Sequence, residues 1–337
     1  MRRVTLGTNG PEVGVQGLGC MGMNEFYGEI RGTATRAESL AVMSRALELG
    51  VTLFDTADAY GWGANEELLG SFLKLGHRDQ VVTATKFGLV PTAGTPGRRK
   101  IRGDAAYVRQ ACEASLRRLG VETIDLYYMH RRDMHIPIEE TVGAMAELVA
   151  AGKIRHLGMS EATAAELRAA TAVHPIAVLQ SEWSLFSRDI EDGPVQAARE
   201  LGVALVPYSP LGRGLLTGGF RSTDDLPAGD LRRSHPRFMG HNASINVALL
   251  APVRSLARAH AATPAQIALA WVQHRADSWG LTVVPVPGSQ EVRHVEENAA
   301  AAELKLNAEE LAVLEPLAAR VAGDRYADMS HTSARRT

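Results

Sequence analysis

A chain of 337 residues that is 45% hydrophobic and 22% charged can bury a large core, and its formal net charge of −2 gives no cationic excess of the kind a nucleic-acid partner would select. Cys20 and Cys112 are its only cysteines, so no disulfide framework is implied and a reducing, cytoplasmic setting fits. No apolar stretch follows the basic Met1-Arg2-Arg3 start, and none reaches the roughly 18 residues of a membrane helix, so neither a signal peptide nor a membrane association is expected.

Strand-prone residues 3–6 and 13–15 flank Gly7-Thr8-Asn9-Gly10-Pro11, a turn sequence that predicts an N-terminal hairpin. Gly17-Leu18-Gly19 reads as a short strand, and from there the chain alternates. Apolar residues at helical spacing predict helices over 36–50, 65–75, 104–119, 137–151, 163–173, 194–201, 246–260, 264–274, 290–301 and 308–321. Several of these stop at glycine, and Asn65 is placed to cap the second. Compact apolar runs predict strands over 51–55, 81–86, 124–130, 154–160, 177–182, 203–208 and 281–285. With 17–19 that makes eight strands, each followed by helix. The pattern argues for a parallel sheet covered on its faces, and eight units argue for an α/β (β/α)8 TIM barrel with an N-terminal β-hairpin and an additional C-terminal helix. An open doubly wound sheet is the alternative. One barrel domain is expected over 1–323, followed by a polar tail over 324–337 that should fray. Two long loops interrupt the alternation. One, 87–103, carries Arg98, Arg99, Lys100 and Arg102 and reads as a solvated basic loop; the other, 212–243, is rich in Gly, Asp and Arg.

The chemistry gathers at strand ends. The run V-T-L-F-D over 51–55 stops at Asp55, with Tyr60 five residues on; 81–86 stops at Lys86 and 124–130 at His130. Each residue alone has a plain structural reading as a loop acid, a packing phenol, a surface lysine or a core histidine. Their coincidence at three successive strand ends favours a shared site, because strand ends of this kind converge on the barrel mouth. A phenol with a pKa of about 10 is a weak acid at neutral pH, and a neighbouring ammonium stabilises its phenolate. Lys86 is expected to lower the Tyr60 pKa in this way, with Asp55 holding Lys86 protonated and His130 orienting a substrate oxygen. Such a set suits proton donation to a carbonyl oxygen while hydride arrives from a cofactor.

With these four residues the chain resembles an aldo-keto reductase over nearly its whole length. Further stretches carry the likeness: Gly17-Leu18-Gly19-Cys20-Met21-Gly22, Gly158-Met159-Ser160-Glu161, Gln180-Ser181-Glu182-Trp183, Tyr208-Ser209-Pro210-Leu211-Gly212-Arg213-Gly214, and Val286-Pro287-Gly288-Ser289 followed by Glu296-Glu297-Asn298. The resemblance implies an NADP(H)-dependent reductase of aldehydes or ketones, with Tyr60 as general acid. It implies Gly19 and Met21 at the nicotinamide end, Ser160 and Gln180 on the carboxamide, and Tyr208 stacked on the ring. Ser209, Pro210, Leu211 and Arg213 would lie along the pyrophosphate, Gly288, Ser289 and Arg293 near the adenosine phosphate, and Glu297 and Asn298 at the adenine. Two departures stand out. Glu161 replaces the Asn that many relatives place after the serine, and Gln290-Glu291 replace a cation after the Gly-Ser pair, which keeps NAD(H) open as a cofactor.

Gly17-x-Gly19-x-x-Gly22 also fits a dinucleotide fingerprint, but the following residues 23–28 do not read as a helix start, so a tight turn lining the site is the preferred reading. His130 and His135 are the closest histidine pair, with no Cys cluster, so no metal is expected. Cys20 reads as a small buried residue beside the site. Met23, Phe26, Tyr27, Trp62 and Trp183 are candidate pocket walls for an apolar or aromatic carbonyl compound, with scattered core packing as the equal alternative. A nucleotide-binding, redox-sensing regulatory subunit with little turnover is the alternative function, and a barrel lyase or isomerase without nicotinamide is a third. Substrate identity and oligomeric state leave no mark in the sequence.

Overall fold

In the computed structural model, residues 1–23, 35–92 and 99–336 are described. The apolar runs become parallel strands β3 (Leu18–Gly19), β4 (Leu53–Asp55), β5 (Val82–Phe87), β8 (Ile124–Met129), β9 (Ile154–Ser160), β10 (Ile176–Gln180) and β11 (Ala204–Leu205), paired side by side in chain order. Two hairpins stand apart from this sheet: β1 (Arg3–Thr5) with β2 (Glu12–Gly14), and β6 (Leu89–Pro91) with β7 (Arg99–Ile101) inside the first long loop.

Residues 282–288 close the sheet into a barrel. Leu205 N donates to Thr282 O at 2.8 Å and Val284 N to Leu205 O at 2.9 Å on one side; Gly17 N donates to Pro285 O at 2.9 Å and Gly19 N to Pro287 O at 3.1 Å on the other. Isolated parallel bridges Leu205↔Val283 and Gly19↔Gly288 mark the two seams. The strand expected over 281–285 forms only these bridges because Pro285 and Pro287 lack the N–H groups that a regular ladder needs. The seam is tight: a Cβ on Gly19 would lie 2.8 Å from Val286 O.

Period-two alternation sorts the barrel interior into layers. Leu53, Ala84, Leu126, Tyr128, Val178, Ala204, Val206, Val284 and Val286 fill it, with Leu6 and Val13 of the first hairpin plugging the bottom. Gly158 makes room for this packing; a Cβ there would come within 2.4 Å of the Tyr128 ring. Next inward, two residues further along their strands, are Asp55, Lys86, His130, Ser160, Gln180, Tyr208 and Gly288. A second and larger core lies between the strands' outer faces and the helices.

Helices α1 (Arg36–Glu48), α2 (Ala64–Phe72), α3 (Ala105–Leu119), α4 (Ile138–Ala150), α5 (Ala164–Val173), α6 (Pro194–Leu201), α9 (Pro264–Trp279) and α10 (Val292–Ala300) correspond to expected ones. Thr35, Thr163 and Thr263 start α1, α5 and α9 as capping boxes, and Gly120, Gly202 and Gly280 stop α3, α6 and α9 in the left-handed conformation. Three expectations are corrected. The helix over 246–260 is two, α7 (Gly240–Ala248) and α8 (Ala251–Ala259), because Pro252 starts a new first turn. The helix over 308–321 is α11 (Ala308–Leu314) followed by a 3-10 turn from Glu315, where Pro316 cannot continue the α ladder. Asn65 is not a cap: α2 starts from Gly63, and the buried Asn65 amide donates to Cys20 O at 2.9 Å while its oxygen accepts from Thr56 Oγ1 at 2.6 Å. It thereby ties together the segments leaving β3 and β4.

The tail does not fray. Arg325 and Thr332 are buried, and the segment is bonded back to the barrel mouth. Polar composition suggested solvent, but Arg325 Nη1 and Nη2 and the Ser333 N–H donate to carboxylates of the barrel mouth. No helix among the described residues is long and apolar enough to cross a membrane. Gly19→Ala should lower stability by about 1–3 kcal/mol, the usual cost of overpacking. Denaturant unfolding measures it, and an unchanged midpoint would show that the seam yields freely.

Candidate active site

Lys86 is fully buried at the mouth end of β5, an arrangement that only a complete set of partners makes tolerable. Its ammonium has three donors. One goes to Asp55 Oδ1 at the end of β4, one to Thr56 O at 2.8 Å, and the third to Tyr60 Oη at 3.4 Å. Asp55 Oδ2 accepts from Gln180 Nε2 at 2.8 Å, which links β4 to β10 across the mouth. Tyr60 opens a short 3-10 turn after β4, and its ring lies edge-on to His130 with centroids 5.9 Å apart. His130 is held by its own backbone, N–H to Phe87 O at 2.9 Å, and its buried Nδ1 has no hydrogen-bond partner among the described residues. The structure therefore brings the four expected residues together.

The electrostatics differ from expectation at Tyr60. Burial raises the phenol pKa by more than the Lys86 ammonium lowers it, so Tyr60 stays above its ordinary value and keeps its proton at neutral pH. Burial alone would depress Lys86, but Asp55 and Tyr60 hold its ammonium above the usual lysine value. His130 is driven well below the usual imidazole value by burial, then by Arg131, Lys86 and Arg99. It is a neutral imidazole across the physiological range.

These groups open on a cavity of about 820 Å³ that runs across the mouth. Asp55, Tyr60 and His130 line one end, and Lys86 lies behind them. All fourteen residues expected along a cofactor line the same cavity: Gly19, Met21, Ser160, Gln180, Tyr208, Ser209, Pro210, Leu211, Arg213, Gly288, Ser289, Arg293, Glu297 and Asn298. At the far end Asn298 Nδ2 donates to Ser289 Oγ at 3.0 Å, and Arg293 Nε to Glu291 Oε2 at 2.6 Å. Gly22 is followed by no described helix start: Met21–Met23 form a 3-10 turn after β3, and residues 24–34 lie outside the described residues.

Glu161 points away from the cavity. Its backbone is left-handed at φ 53, and its carboxylate is fully buried, accepting from Tyr208 Oη at 2.8 Å, Arg325 Nη1 at 3.1 Å, Ser333 N at 3.0 Å and Glu182 N at 3.1 Å. Burial would raise its pKa, but Arg325 and Arg131 bring it down to about 2. In the cavity itself, Arg131 Nη1 donates to Ser160 Oγ at 2.9 Å, and its guanidinium lies 5.9 Å over the Tyr208 ring.

Sequence reasoning missed Arg131, Arg99 and Tyr326, all of which line the cavity. Arg99, expected in a solvated loop, is exposed on β7 and also lines the cavity, with its guanidinium 5.7 Å over the half-exposed Trp62. Of the candidate pocket walls, Met23 and Trp183 belong to the core instead, and Trp183 Nε1 donates to Glu191 Oε1 at 3.0 Å. Phe26 and Tyr27 lie outside the described residues. Cys20 is fully buried with its thiol pKa pushed up by burial. Among the described residues there is no group of three or more His, Cys, Asp or Glu side chains placed to hold a metal.

The model of the aldo/keto reductase family matches residues 17–319. The fold is similar to that of a glycerol dehydrogenase from Gluconobacter oxydans, at 28% identity with a TM-score of 0.83 and 95% of each chain covered. It is also similar to an aldo-keto reductase from Bacillus halodurans at 27% identity and a TM-score of 0.71, covering 98% of this chain and 99% of that one. An aldo-keto reductase from Klebsiella pneumoniae, solved in complex with NADPH, is similar at 30% identity and a TM-score of 0.71, covering 94% of this chain and 95% of that one.

The depressed His130 has a thermodynamic consequence. An unfolded histidine titrates near 6.5, so below that pH the unfolded chain takes up a proton that folded His130 refuses. Folding stability should therefore fall as pH drops from about 7 towards 5. His235, held down to about 4 by burial and Arg213, adds to the same slope. His130→Gln should flatten the dependence measured by denaturant unfolding at several pH values; an identical slope in the variant would mean that folded His130 protonates normally.

Proposed function

The chain belongs to the aldo/keto reductase family, and from that premise we propose that it is an NADP(H)-dependent reductase converting an aldehyde or ketone to an alcohol. One observation carries the reading: a phenol and a neutral imidazole at one end of a cavity of about 820 Å³, with a buried ammonium behind them 3.4 Å from the phenol oxygen. The residues present fit that cofactor. Glycines at the Gly19↔Gly288 seam keep the wall low, Arg213 supplies a cation midway, and Arg293 a guanidinium at the far end. Support also comes from the Klebsiella pneumoniae relatives, solved with NADPH in one case and with NADP and acetate in the other.

NADPH, when bound, supplies the hydride. Everything else falls to the protein. Tyr60, which keeps its proton because it is buried, donates it to the carbonyl oxygen. The resulting phenolate faces Lys86, so the charge formed in the step is met by an ammonium already in place. Asp55 and Thr56 O fix that ammonium, and Gln180 fixes Asp55. His130, uncharged, offers a ring N–H to the same oxygen without competing as an acid. Ser160, Gln180 and Tyr208 hold the nicotinamide end, and Ser289, Arg293, Glu297 and Asn298 hold the adenosine end.

Tyr60→Phe should reduce turnover at least about 10²-fold, the lower range for losing a general acid, while NADPH affinity changes less than about twofold. Tyr60 is the residue to change because removing Lys86 would strand the buried Asp55 carboxylate and destabilise the fold. Turnover of small aldehydes by the purified variant at the wild-type rate would rule the mechanism out. Tight NADPH binding by the wild type without turnover of any carbonyl compound tried would instead favour a regulatory, redox-sensing role.

Arg293 pairs with Glu291, so Glu291 orients this guanidinium rather than repelling a phosphate unopposed. Arg293→Ala should weaken NADPH roughly tenfold, the scale of a charge-assisted phosphate contact, and leave NADH unchanged. Fluorescence titration with each cofactor separates the cases, and equal losses for both would move the 2′-phosphate contact elsewhere.

A further inference from the structure

We infer that residues 324–336 form part of the cofactor seat, with Tyr326 as a positioning residue and the Glu161–Arg325 pair as its anchor. The inference rests on the reading that the cavity holds NADP(H).

The side chains form one directed chain of hydrogen bonds. Arg213 Nη2 donates to Tyr326 Oη at 2.9 Å. Tyr326 and Tyr208 hydroxyls lie 3.2 Å apart, and Tyr208 Oη donates onward to Glu161 Oε1 at 2.8 Å. Because the Tyr208 proton is committed to the carboxylate, Tyr326 is the donor between the two phenols. The path therefore runs from Arg213 through Tyr326 and Tyr208 to Glu161, where Arg325 meets the charge from the other side. Two of its members, Arg213 and Tyr208, are the residues placed above along the pyrophosphate and at the nicotinamide. Tyr326, which lines the cavity between them, comes from the tail.

The anchor is built for permanence. Arg325 is 4% exposed and lies within ion-pair distance of three carboxylates: Glu161 at 3.1 Å, Glu182 at 3.5 Å and Asp189 at 2.6 Å. Ser333 N donates to Glu161, and Arg336 reaches both the Glu161 carbonyl and the Glu166 carboxylate. His235 packs edge-on against the Tyr326 ring, with centroids 5.3 Å apart. Glu161, Ser209 and Arg213 all hold left-handed backbone, at φ 53, 47 and 55. Residues with a Cβ keep that conformation only where their surroundings fix it. Glu161 thus holds Tyr208 through its hydroxyl and recruits the tail to hold Arg213.

Tyr326→Phe removes one hydroxyl and leaves the anchor whole. Stopped-flow release and equilibrium titration of NADPH should show affinity weakened about threefold to tenfold, the range for one lost hydrogen bond, mostly as faster release. Arg325→Ala, which unpairs Glu161, should show a larger loss in the same two readouts, and Arg325→Lys should restore part of it. If Arg325→Ala does not fold, Tyr326→Phe alone decides. A purely structural tail would lower the melting temperature of the cofactor-free variants while leaving NADPH affinity and release at wild-type values, and that result overturns the inference. Should wild type bind no NADPH, the reductase reading falls along with it. Wild-type binding with unchanged Tyr326→Phe kinetics removes only the role of the tail.

Discussion

An ammonium with no exposure to water is the constraint around which the mouth of this barrel is arranged. Lys86 can be charged there only because Asp55, Thr56 O and Tyr60 use all of its donors, and Asp55 in turn accepts from Lys86 on one oxygen and from Gln180 on the other. The set spans β4, β5 and β10, so the charges are tolerable only when the barrel is closed, and closure in turn relies on Gly19 and Gly158 leaving space that side chains would fill. Replacing Asp55 or Lys86 alone leaves the other as an uncompensated buried charge, which costs far more than the pair contributes.

A second buried charge cluster stands on the other side of the cavity, and the two do different things. At Lys86 the chain arranges charge around a proton that moves. At Glu161 it arranges charge around groups that stay still: Tyr208, Arg213 and the tail. Four of the five left-handed non-glycine residues among those described follow the same division. Glu161, Ser209 and Arg213 gather beside the static cluster, while Trp62 lies next to Tyr60. The fifth such residue, Ala261, lies apart from the site between α8 and α9.

Asp55, Lys86 and His130 were legible because an inward-facing position at the end of an apolar run is a local signal, and the barrel converts local signals at successive strands into one site. Closure was legible as a count of eight, but not the irregular pairing of residues 282–288, which follows from prolines placed in the seam. The sign of the Tyr60 shift was not legible, because adjacency to Lys86 can be guessed from the pattern whereas the extent of burial cannot. Nor was the anchor. Glu161 looked like a doubtful cofactor contact and Arg325 like part of a solvated tail, since an ion pair across 164 residues leaves no trace in either neighbourhood. Trp183 shows a similar limit: a tryptophan in a core and one in a pocket have the same spelling. Arg99 is solvent-exposed as expected, but its place along the cavity depends on the hairpin β6–β7, whose pairing was not foreseen.

That separation of 164 residues also sets an order of assembly. Neighbouring strands from β3 to β11 pair in chain order, each joined to the next by one crossover that carries a helix, so most of the barrel can form as the chain lengthens during synthesis. Glu161 enters the interior with that part of the chain, yet its guanidinium partner is made much later. Until residues 325–336 arrive, the growing molecule holds a buried anion without its cation, and Tyr208 and Arg213 lack the phenol that joins them. The barrel and the proton-donating cluster can thus precede the finished mouth. Losing residues 325–336 from the finished protein would leave Glu161 without Arg325, and Tyr208 and Arg213 without the phenol that joins them.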